Sequence, residues 1–399
     1  MTLEEAQQIL TDNVKKVETA ETKGLLEALG EVLAEDVTAP FDNPPFNRSP
    51  LDGYAMRSED ISGATKESPV LLQIVAEECA GDFYDGAVKA GECIRLMTGA
   101  AIPADCDCVI RQEDVTDDGN GQLSVPYPLK HHENFCFKGE DIKKDTLLIK
   151  AGTRLTAGHL GVLASMGYDK VKVVRKPNII LASTGDELLQ PGEPLAPGKI
   201  YNSNLFVLAA RLKEMGFSAK ILGALPDDVA KASEVLKKAS KEYKADLVLT
   251  TGGVSVGKKD IMHGVVANIG EKLFWRVAMK PGAPVLTYRM ENSLGIALSG
   301  NPFAAYATFE LLVRPVLAKL SDNSEINMKS CEAVLADDFP KKSKGRRFIR
   351  GRFENGKVYL PSNHGSGSLY SAMECNCFVD IPAGSDELAS GARVKVFHI

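Results

Sequence analysis

Apolar and polar positions alternate in a regular way between about residues 177 and 326. Short apolar runs typical of buried parallel strands alternate there with stretches that have apolar residues at helical spacing. One such stretch predicts a helix over 204–215, followed by Gly216 at a position where many helices end. This order of elements predicts a doubly wound α/β domain. The predicted strands are 178–182, 220–225, 246–250 and 294–298, and further helices are predicted at 229–243 and from Asn301-Pro302 onward.

Short strands separated by turns predict β-rich regions on both sides of that domain. Residues 70–137 contain such runs and no helical period, which predicts an all-β insertion. Residues 327–399 contain four more runs, which predict a small β-barrel or sandwich. Near the N-terminus, Thr2 and Glu5 form a capping-box pattern that predicts the start of a helix, and a second helix is predicted over 25–34.

Composition and charge narrow the class of protein. The 399 residues are 44% hydrophobic and 25% charged, which indicates a globular chain of about two to four domains. A net charge of −6 argues against a surface that coats nucleic acid. No apolar run approaches the roughly 20 residues that span a bilayer, and the N-terminus lacks a secretory signal. The eight cysteines are scattered, which favours reduced thiols in a cytoplasmic protein and argues against thiol chemistry.

Polar, glycine-bearing loops follow three of the predicted strands. In an open parallel sheet, ligands bind beyond the carboxyl ends of the strands. Glycines let the backbone approach a phosphate, and acidic residues beside them make sense if Mg²⁺ bridges them to phosphate oxygens. Alternatively, the glycines form turns and the acids cap helices. The candidate residues in these loops are Gly185, Asp186, Glu187, Gly252, Gly253, Ser255, Asp260, Gly300, Asn301 and Pro302.

The second loop also fits part of a P-loop. Gly252 through Gly257-Lys258 has the glycine and lysine spacing and follows a predicted buried strand. The next residue is Lys259, where a P-loop needs a hydroxyl to bind Mg²⁺. This mismatch argues against a nucleotide-binding P-loop.

Two further segments could bind anions. Arg276 and Lys280 are four residues apart on a predicted strand over 273–280, so they point to the same side and could clamp an oxyanion. They could equally form a solvated strand face. Residues 364–368 offer amides and hydroxyls for another phosphate, or form a hairpin turn.

The ordered set of these loops resembles the molybdopterin molybdenumtransferase family, which includes the MoeA proteins and the gephyrin E domain. The likeness is collinear over essentially the whole chain. Each motif alone is weak, but the ordered set is highly specific. The matching segments are residues 45–55, 95–100, 138–142, 183–188, 251–257 and 299–302.

The resemblance implies an elongated subunit with four parts that forms a homodimer. We therefore expect a multidomain α+β and α/β fold, in which a central doubly wound molybdopterin-binding domain carries a β-rich insertion and a small C-terminal β-barrel. The expected domains are an N-terminal dimerisation and linker domain (1–45 and 138–176), a β-rich inserted domain (46–137), the molybdopterin-binding domain (177–326) and the barrel (327–399).

The resemblance also implies a reaction. Molybdate is inserted into the dithiolene of adenylylated molybdopterin, and AMP and molybdenum cofactor are released. Because the dithiolene supplies the soft sulfur ligands, the protein needs no cysteine there, but it must hold two anions against each other with cations. The implied cofactor is Mg²⁺, and the molybdopterin adenylyltransferase is a further expected partner.

The resemblance assigns roles to individual residues. Asp228 is expected to match a cleft acid, with its neighbour Asp227 as the alternative counterpart, and in a dimer the loop around Asp52 is expected to complete the site of the opposite subunit. Glu187 and Asp260 match an acidic pair tied to metal and catalysis. Other catalytic positions are Asp52, Thr98, Asp141, Arg276 and Lys280, and the expected substrate-binding residues are Gly185, Gly252, Gly253, Ser255, Gly300, Asn301, Pro302 and Ser366.

Two positions depart from the family pattern. Ala283 stands where relatives commonly have lysine, and Ser299 stands where they commonly have proline. The retained cations at 276 and 280 favour an active enzyme. The competing hypotheses are a non-catalytic molybdopterin-binding scaffold and a hydrolase of adenylylated molybdopterin on the same fold. The acids Glu187 and Asp260 argue against a scaffold, which has no need of charged metal ligands in a cleft.

Overall fold

The computed structural model describes residues 1–255, 257 and 260–399. The chain forms two compact units: a large unit of residues 1–21 and 174–399, and a small unit of residues 22–173. The division into four domains stays a prediction. The capped helix Leu3–Asp12 buries its apolar face in the core of the large unit, through Leu3, Ala6 and Leu10.

The small unit is built around a six-stranded sheet, as the β-rich pattern predicted. Its strands follow the spatial order Cys108–Arg111, Gly53–Met56, Glu92–Leu96, Val70–Glu78, Gln122–Val125 and Thr116–Asp117. The remaining elements are the helix Ala157–Ser165, the one-turn helix Gln112–Asp114, and the paired strands Val37–Thr38 with Leu147–Ile149 and Ala20–Gly24 with Lys170–Val174.

The helix predicted over 25–34 is wrong. Residues 25–30 form turns, and Gly30 has a φ of +78°, a left-handed conformation that ends a helical path. The Leu33 amide then donates to the Thr153 carbonyl at 2.9 Å, as in a strand. The apolar residues at helical spacing do not share a buried face, since Leu26 and Leu29 are exposed.

The large unit contains the predicted doubly wound sheet. Four strands are parallel, and two antiparallel strands extend one edge. The spatial order is Ala219–Leu225, Ile179–Thr184, Leu247–Thr251, Leu294–Leu298, Leu286–Arg289 and Glu271–Trp275. Every residue of Ile179–Thr184, Leu247–Thr251 and Leu294–Leu298 is buried, as expected for strands covered on both faces.

Helices cover both faces of this sheet. Val229–Tyr243 and Met262–Ile269 pack on one face, and the other face carries Leu3–Asp12, Ser203–Glu214 and the helical segment 302–320. That segment consists of Pro302–Thr308, a π turn at Phe309–Val313, and Arg314–Leu320. The π turn accommodates Pro315, which has no amide hydrogen to donate within the helix.

The C-terminal residues form a closed barrel of five strands. In order around the barrel the strands are Arg346–Glu354, Lys357–Tyr359, Ser330–Leu335, Arg393–His398 and Cys377–Ile381, which pairs back with the first. A short strand, Met279–Lys280, pairs with Arg346–Arg347. The large unit also has the strand pair Leu188–Leu189 and Ile200–Tyr201 and the one-turn helices Ser324–Ile326 and Tyr370–Ala372. Within the described residues, no helix combines the length and the apolar composition that a membrane span requires.

Candidate active site

A cavity of about 530 Å³ opens beyond the carboxyl ends of the parallel strands. We call it the acid cavity, because Glu187, Asp227 and Asp260 line it while no Lys, Arg or His is among its described lining residues. The three loops singled out in the sequence meet there, as the rule for open parallel sheets predicts. Of the candidate residues, Gly185, Glu187, Gly252, Gly253, Ser255, Asp260, Gly300, Asn301 and Pro302 line the cavity.

Glycines shape the wall of the acid cavity. Gly252 has a φ of +88°, and a Cβ there would lie 2.8 Å from the Thr184 carbonyl oxygen. Gly253, with a φ of +68°, would place a Cβ 2.8 Å from the Thr184 hydroxyl. Only glycine therefore lets the loop lie directly against the neighbouring strand end. The floor is polar, since the buried Asn202 amide donates to the Ser183 hydroxyl at 2.8 Å.

The carboxylates of the acid cavity are available for a ligand. Among the described residues, neither Glu187 nor Asp260 has a salt-bridge partner, although the Gly257 amide donates to Asp260 at 2.5 Å. Asp227 accepts from the Asp186 amide at 3.3 Å. Asp228, in contrast, caps the helix Val229–Tyr243 by accepting from the Lys231 amide at 2.8 Å. The structure thus places Asp227, the alternative counterpart, in the cavity, and Asp228 outside its lining.

The donor set fits a magnesium ion that is shared with a substrate. In the described part of the chain, no three His, Cys, Asp or Glu side chains are grouped closely enough to hold a metal by themselves. Mg²⁺ is commonly bound by one or two carboxylates together with water and substrate phosphates. Glu187 and Asp260 in one cavity satisfy that requirement.

A second cavity of about 340 Å³ has the opposite charge. We call it the basic cavity. Its charged and titratable lining residues are Lys280, Lys341, Arg347, Arg350 and His364, and Ser366 also lines it. The structure therefore brings Lys280 and Ser366 together, but in this cavity and not among the phosphate-binding loops.

Arg350 is the most unusual side chain of the basic cavity. It is only 1% exposed and has no carboxylate partner among the described residues. Its guanidinium donates to the Ser371 hydroxyl at 2.8 Å, the Gly365 carbonyl at 2.6 Å and the Ser368 carbonyl, while Nε has no partner. It also stacks 3.5 Å from the centroid of the Phe303 ring. Burial lowers the pKa of Arg350, so the fold holds an uncompensated cation beside the cavity.

Burial and neighbouring cations act on His364 as well. Burial, Arg350 and Lys341, in that order, lower the pKa of His364 below its ordinary value. Its Nδ1 is buried without a hydrogen-bond partner, and its ring meets Phe339 edge-on with 5.9 Å between centroids. These effects favour the neutral imidazole, so the arginine and lysine side chains supply the positive charge of the basic cavity.

The two cavities adjoin each other. Pro302 lines the acid cavity, and the next residue, Phe303, lines the basic one. The segment from Lys280 to Pro284 likewise contributes Lys280 and Pro281 to the basic cavity and Pro284 to the acid cavity. Of the two positions that depart from the family pattern, Ala283 lies on this connecting segment, and Ser299 lines the acid cavity.

The prediction that Arg276 and Lys280 share one face of a strand is wrong. The strand ends at Trp275, and Arg276 adopts a left-handed conformation with a φ of +74°. Lys280 then joins a different sheet through the strand Met279–Lys280. Arg276 is exposed, stacks over the Trp275 ring at 5.0 Å and lines neither cavity.

Three of the predicted catalytic residues, Asp52, Thr98 and Asp141, lie in the small unit, where each takes part in a hydrogen bond that joins two loops. The amide and the hydroxyl of Thr98 both donate to Asp52 Oδ1 at 2.7 Å. These two hydrogen bonds lower the pKa of Asp52 below its ordinary value. Asp141 accepts from the Asn43 side-chain amide at 3.1 Å.

Sequence reasoning missed Arg350, Lys341 and Arg347. Arg350 lies within a run, 347–353, that was interpreted only as a barrel strand. A single sequence gives no signal that a strand arginine is buried without an acid, because that depends on the loop 365–371 and on Phe303. The P-loop candidate, Gly252 through Lys258, includes residues that lie outside the described part of the chain. Lys259, the residue that departs from the P-loop pattern, also lies outside it.

Comparisons with known proteins give one consistent result. Residues 1–167 match the model of the MoeA N-terminal region (domains I and II), residues 180–319 match a probable molybdopterin binding domain, and residues 332–399 match the MoeA C-terminal region (domain IV). The match covers most of the chain in the expected order.

Curated relatives and a solved structure extend this likeness. The molybdopterin molybdenumtransferase of Bacillus subtilis is 37% identical over 384 residues, covering 94% of this chain and 89% of the relative. That of Haemophilus influenzae is 34% identical over 402 residues, covering 99% and 98%. The crystal structure of a molybdopterin biosynthesis MoeA protein from Pyrococcus horikoshii matches with a TM-score of 0.87 at 32% identity, over 100% of this chain and 98% of that one. Full-length coverage at this identity, together with the fold and the two cavities, establishes that the chain belongs to the molybdopterin molybdenumtransferase (MoeA) family.

Proposed function

We propose that this chain is a Mg²⁺-dependent molybdopterin molybdotransferase. It inserts molybdate into the dithiolene of adenylylated molybdopterin and releases AMP and molybdenum cofactor. The observation that carries the proposal is the pair of adjoining cavities of opposite charge within one unit. The reaction needs this arrangement, since two anionic reactants must be held against each other.

The acid cavity suits the phosphoanhydride end of the substrate. Glu187 and Asp260 would hold Mg²⁺, which when bound neutralises phosphate oxygens and stabilises the charge that develops on them. Backbone amides of the glycine loops at Gly185 and Gly300 can approach the same oxygens, because no side chain intervenes. The cavity residues therefore bind and orient the phosphates.

The basic cavity suits the tetrahedral oxyanion. Molybdate would supply the compensating charge that Arg350 lacks, with Lys280 and the Ser366 hydroxyl as further donors. The substrate's dithiolene provides the soft sulfur ligands that molybdenum prefers. The cysteines near this cavity are therefore not needed as ligands, and burial raises the pKa of Cys375 and Cys377.

An assay of AMP release tests the proposal. Purified enzyme is given adenylylated molybdopterin and Mg²⁺, with molybdate present or withheld. Wild type is expected to release AMP rapidly only with molybdate, and Glu187→Gln and Asp260→Asn are expected to lose this release while keeping the wild-type Tm. The matched control is Glu234→Gln, which makes the same carboxylate-to-amide change on an exposed helix position and should leave the rate unchanged.

The same assay separates the competing functions. A hydrolase would release AMP at the same rate without molybdate. A scaffold would bind the substrate and release none. Either result would contradict the transferase, and molybdate-dependent release that persists in both carboxylate variants would overturn the roles of Glu187 and Asp260.

We further propose that the enzyme acts as a homodimer and receives its substrate from a molybdopterin adenylyltransferase. Family membership supports both proposals. Analytical ultracentrifugation at micromolar concentration tests the first, and a single species with the mass of one 43.0 kDa chain would contradict it.

A further inference from the structure

Trp275, the single tryptophan of the chain, is hydrogen-bonded to the acid-cavity loop. It ends the strand Glu271–Trp275, and its indole Nε1–H donates to the Val254 carbonyl at 3.0 Å. Val254 is 2% exposed and lines the acid cavity between Gly253 and Ser255. Among the described residues, this indole is the one donor to that carbonyl.

The indole ring is itself held on two sides. The His263 ring, on the helix that follows the loop, meets it edge-on with 5.0 Å between centroids. The Arg276 guanidinium lies 5.0 Å from the ring centroid, and the left-handed φ of +74° at Arg276 turns that side chain back over the indole. A non-glycine residue adopts this conformation at a cost in free energy, so surrounding contacts must hold it. The indole therefore presents its N–H to the loop from a fixed position.

We propose that Trp275 is a positioning residue for the acid cavity: its indole N–H fixes the Val254 carbonyl and thereby places Ser255 and Asp260 against the substrate phosphates. The inference rests on the proposed function, because it assigns Trp275 a role that acts through Asp260. The chain just after Asp260 is held to the same loop, since the Met262 amide donates to the Gly253 carbonyl at 3.1 Å. If the side chain at position 275 has no hydrogen-bond donor, the buried Val254 carbonyl is unpaired, and the loop shifts so that water can reach this carbonyl. Trp275 itself touches neither the substrate nor the metal.

Two substitutions separate the N–H from the ring. Trp275→Phe keeps an aromatic ring beside His263 and Arg276 but removes the donor, and Trp275→Leu removes both. The readout is the Mg²⁺ concentration that gives half-maximal molybdate-dependent AMP release, together with kcat and Tm. Loss of one hydrogen bond predicts an increase of about three- to tenfold in this Mg²⁺ concentration in both variants, with a decrease in Tm of no more than about 5 °C.

The outcomes are distinct. If the Mg²⁺ concentration for half-maximal release in Trp275→Phe stays within twofold of wild type, the inference is wrong. It is also wrong if this concentration increases in Trp275→Leu alone, because the effect would then belong to the ring and not to the N–H. Glu187→Gln tests the underlying site independently, because it is expected to lose AMP release at every Mg²⁺ concentration. If Glu187→Gln keeps wild-type release and Mg²⁺ dependence, the proposed metal site fails whatever the tryptophan variants show. If it loses release and Trp275→Phe does not change, only the role of Trp275 fails.

The tryptophan also provides a direct signal in the wild-type protein. Because Trp275 is the single tryptophan, its emission reports this one position. We expect a saturable change in emission when Mg²⁺ and AMP are added together, and none in Glu187→Gln. Emission that does not respond in wild type at saturating ligand would contradict a coupling between the indole and the cavity.

Discussion

Replacing Arg350 by methionine should weaken molybdate binding strongly and destabilise the fold only moderately. The guanidinium is 1% exposed, makes three hydrogen bonds to neutral groups and stacks on Phe303. Because their donor is charged, those hydrogen bonds contribute about 1.5–3 kcal/mol each, and the stack contributes up to about 2 kcal/mol. Burying a charge without a counter-ion costs several kcal/mol, which largely offsets them. Arg350→Met also leaves the Gly365 and Ser368 carbonyls without this donor, so we expect it to lower the free energy of unfolding by no more than about 3 kcal/mol.

The effect on the reaction should be much larger. A hydrogen bond between charged groups contributes about 1.5–3 kcal/mol, and a buried arginine facing a dianion is such a case. Loss of that contact corresponds to an increase of about 10- to 150-fold in the KM for molybdate in the AMP-release assay. The Mg²⁺ concentration for half-maximal rate should not change, because Arg350 lines the basic cavity and not the acid cavity.

Arg211 provides a matched control. It is a half-buried arginine of the large unit, but it pairs at 2.7 Å with Glu310, which is 0% exposed and also binds Arg314 at 2.9 Å. Arg211→Met leaves the buried Glu310 carboxylate with Arg314 alone, and the cost of a fully unpaired buried charge, about 3–5 kcal/mol, is the upper limit of the effect. We expect a lower Tm with an unchanged KM for molybdate. If Arg350→Met instead destabilises as much as Arg211→Met and leaves that KM unchanged, Arg350 is a structural residue and the basic cavity is not the oxyanion site.

Two further predictions concern local structure. Thr98→Val removes the hydroxyl that donates to Asp52, so the pKa of Asp52 should rise toward its ordinary value, as measured by NMR of the carboxyl carbon. Because the folded-state pKa of Asp52 is lowered, the Thr98–Asp52 contact stabilises the fold at pH values above the ordinary Asp pKa near 4. This stabilisation is lost as the pH falls through the lower folded-state pKa. An unchanged pKa of Asp52 in Thr98→Val would refute the assignment. Gly282→Ala should lower the Tm by several degrees in a thermal melt, because a Cβ there would lie 2.2 Å from Thr308 Cγ2 at a φ of +87°. The control is Gly391→Ala, at a φ of +90° with open space around it, which introduces backbone strain without a steric clash and should lower the Tm less. Equal decreases in Tm for the two variants would refute the packing argument.

Much of the large unit could be predicted from sequence because its strands and helices are specified by local patterns of apolar residues. Buried parallel strands appear as short apolar runs, and helices as periodic ones, so the helix at Val229–Tyr243 and the strand at Leu294–Leu298 fall where the pattern places them. The convergence of three loops followed from topology alone, since the carboxyl ends of parallel strands share an edge.

The errors came from non-local contacts. The segment around Arg276 has the composition of one strand, but the chain turns there and enters a second sheet, whose partner strand Arg346–Glu354 is about 70 residues away in sequence. Ser366 is expected from the sequence to bind another phosphate through the amides and hydroxyls of residues 364–368, and the structure places it in the basic cavity. For the cleft acid the sequence favours Asp228 with Asp227 as the alternative; the structure places Asp227 in the lining of the acid cavity and Asp228 at the cap of a helix.

Anomalous X-ray diffraction tests the two-cavity arrangement most directly. Crystals of the wild-type protein would be soaked with tungstate, as an electron-rich stand-in for molybdate, and with Mn²⁺ in place of Mg²⁺ together with AMP. The structure predicts a tungsten peak in the basic cavity beside Lys280 and Arg350, and a manganese peak between Glu187 and Asp260. Tungsten among the acid-cavity loops, or manganese bound away from both carboxylates, would contradict the account.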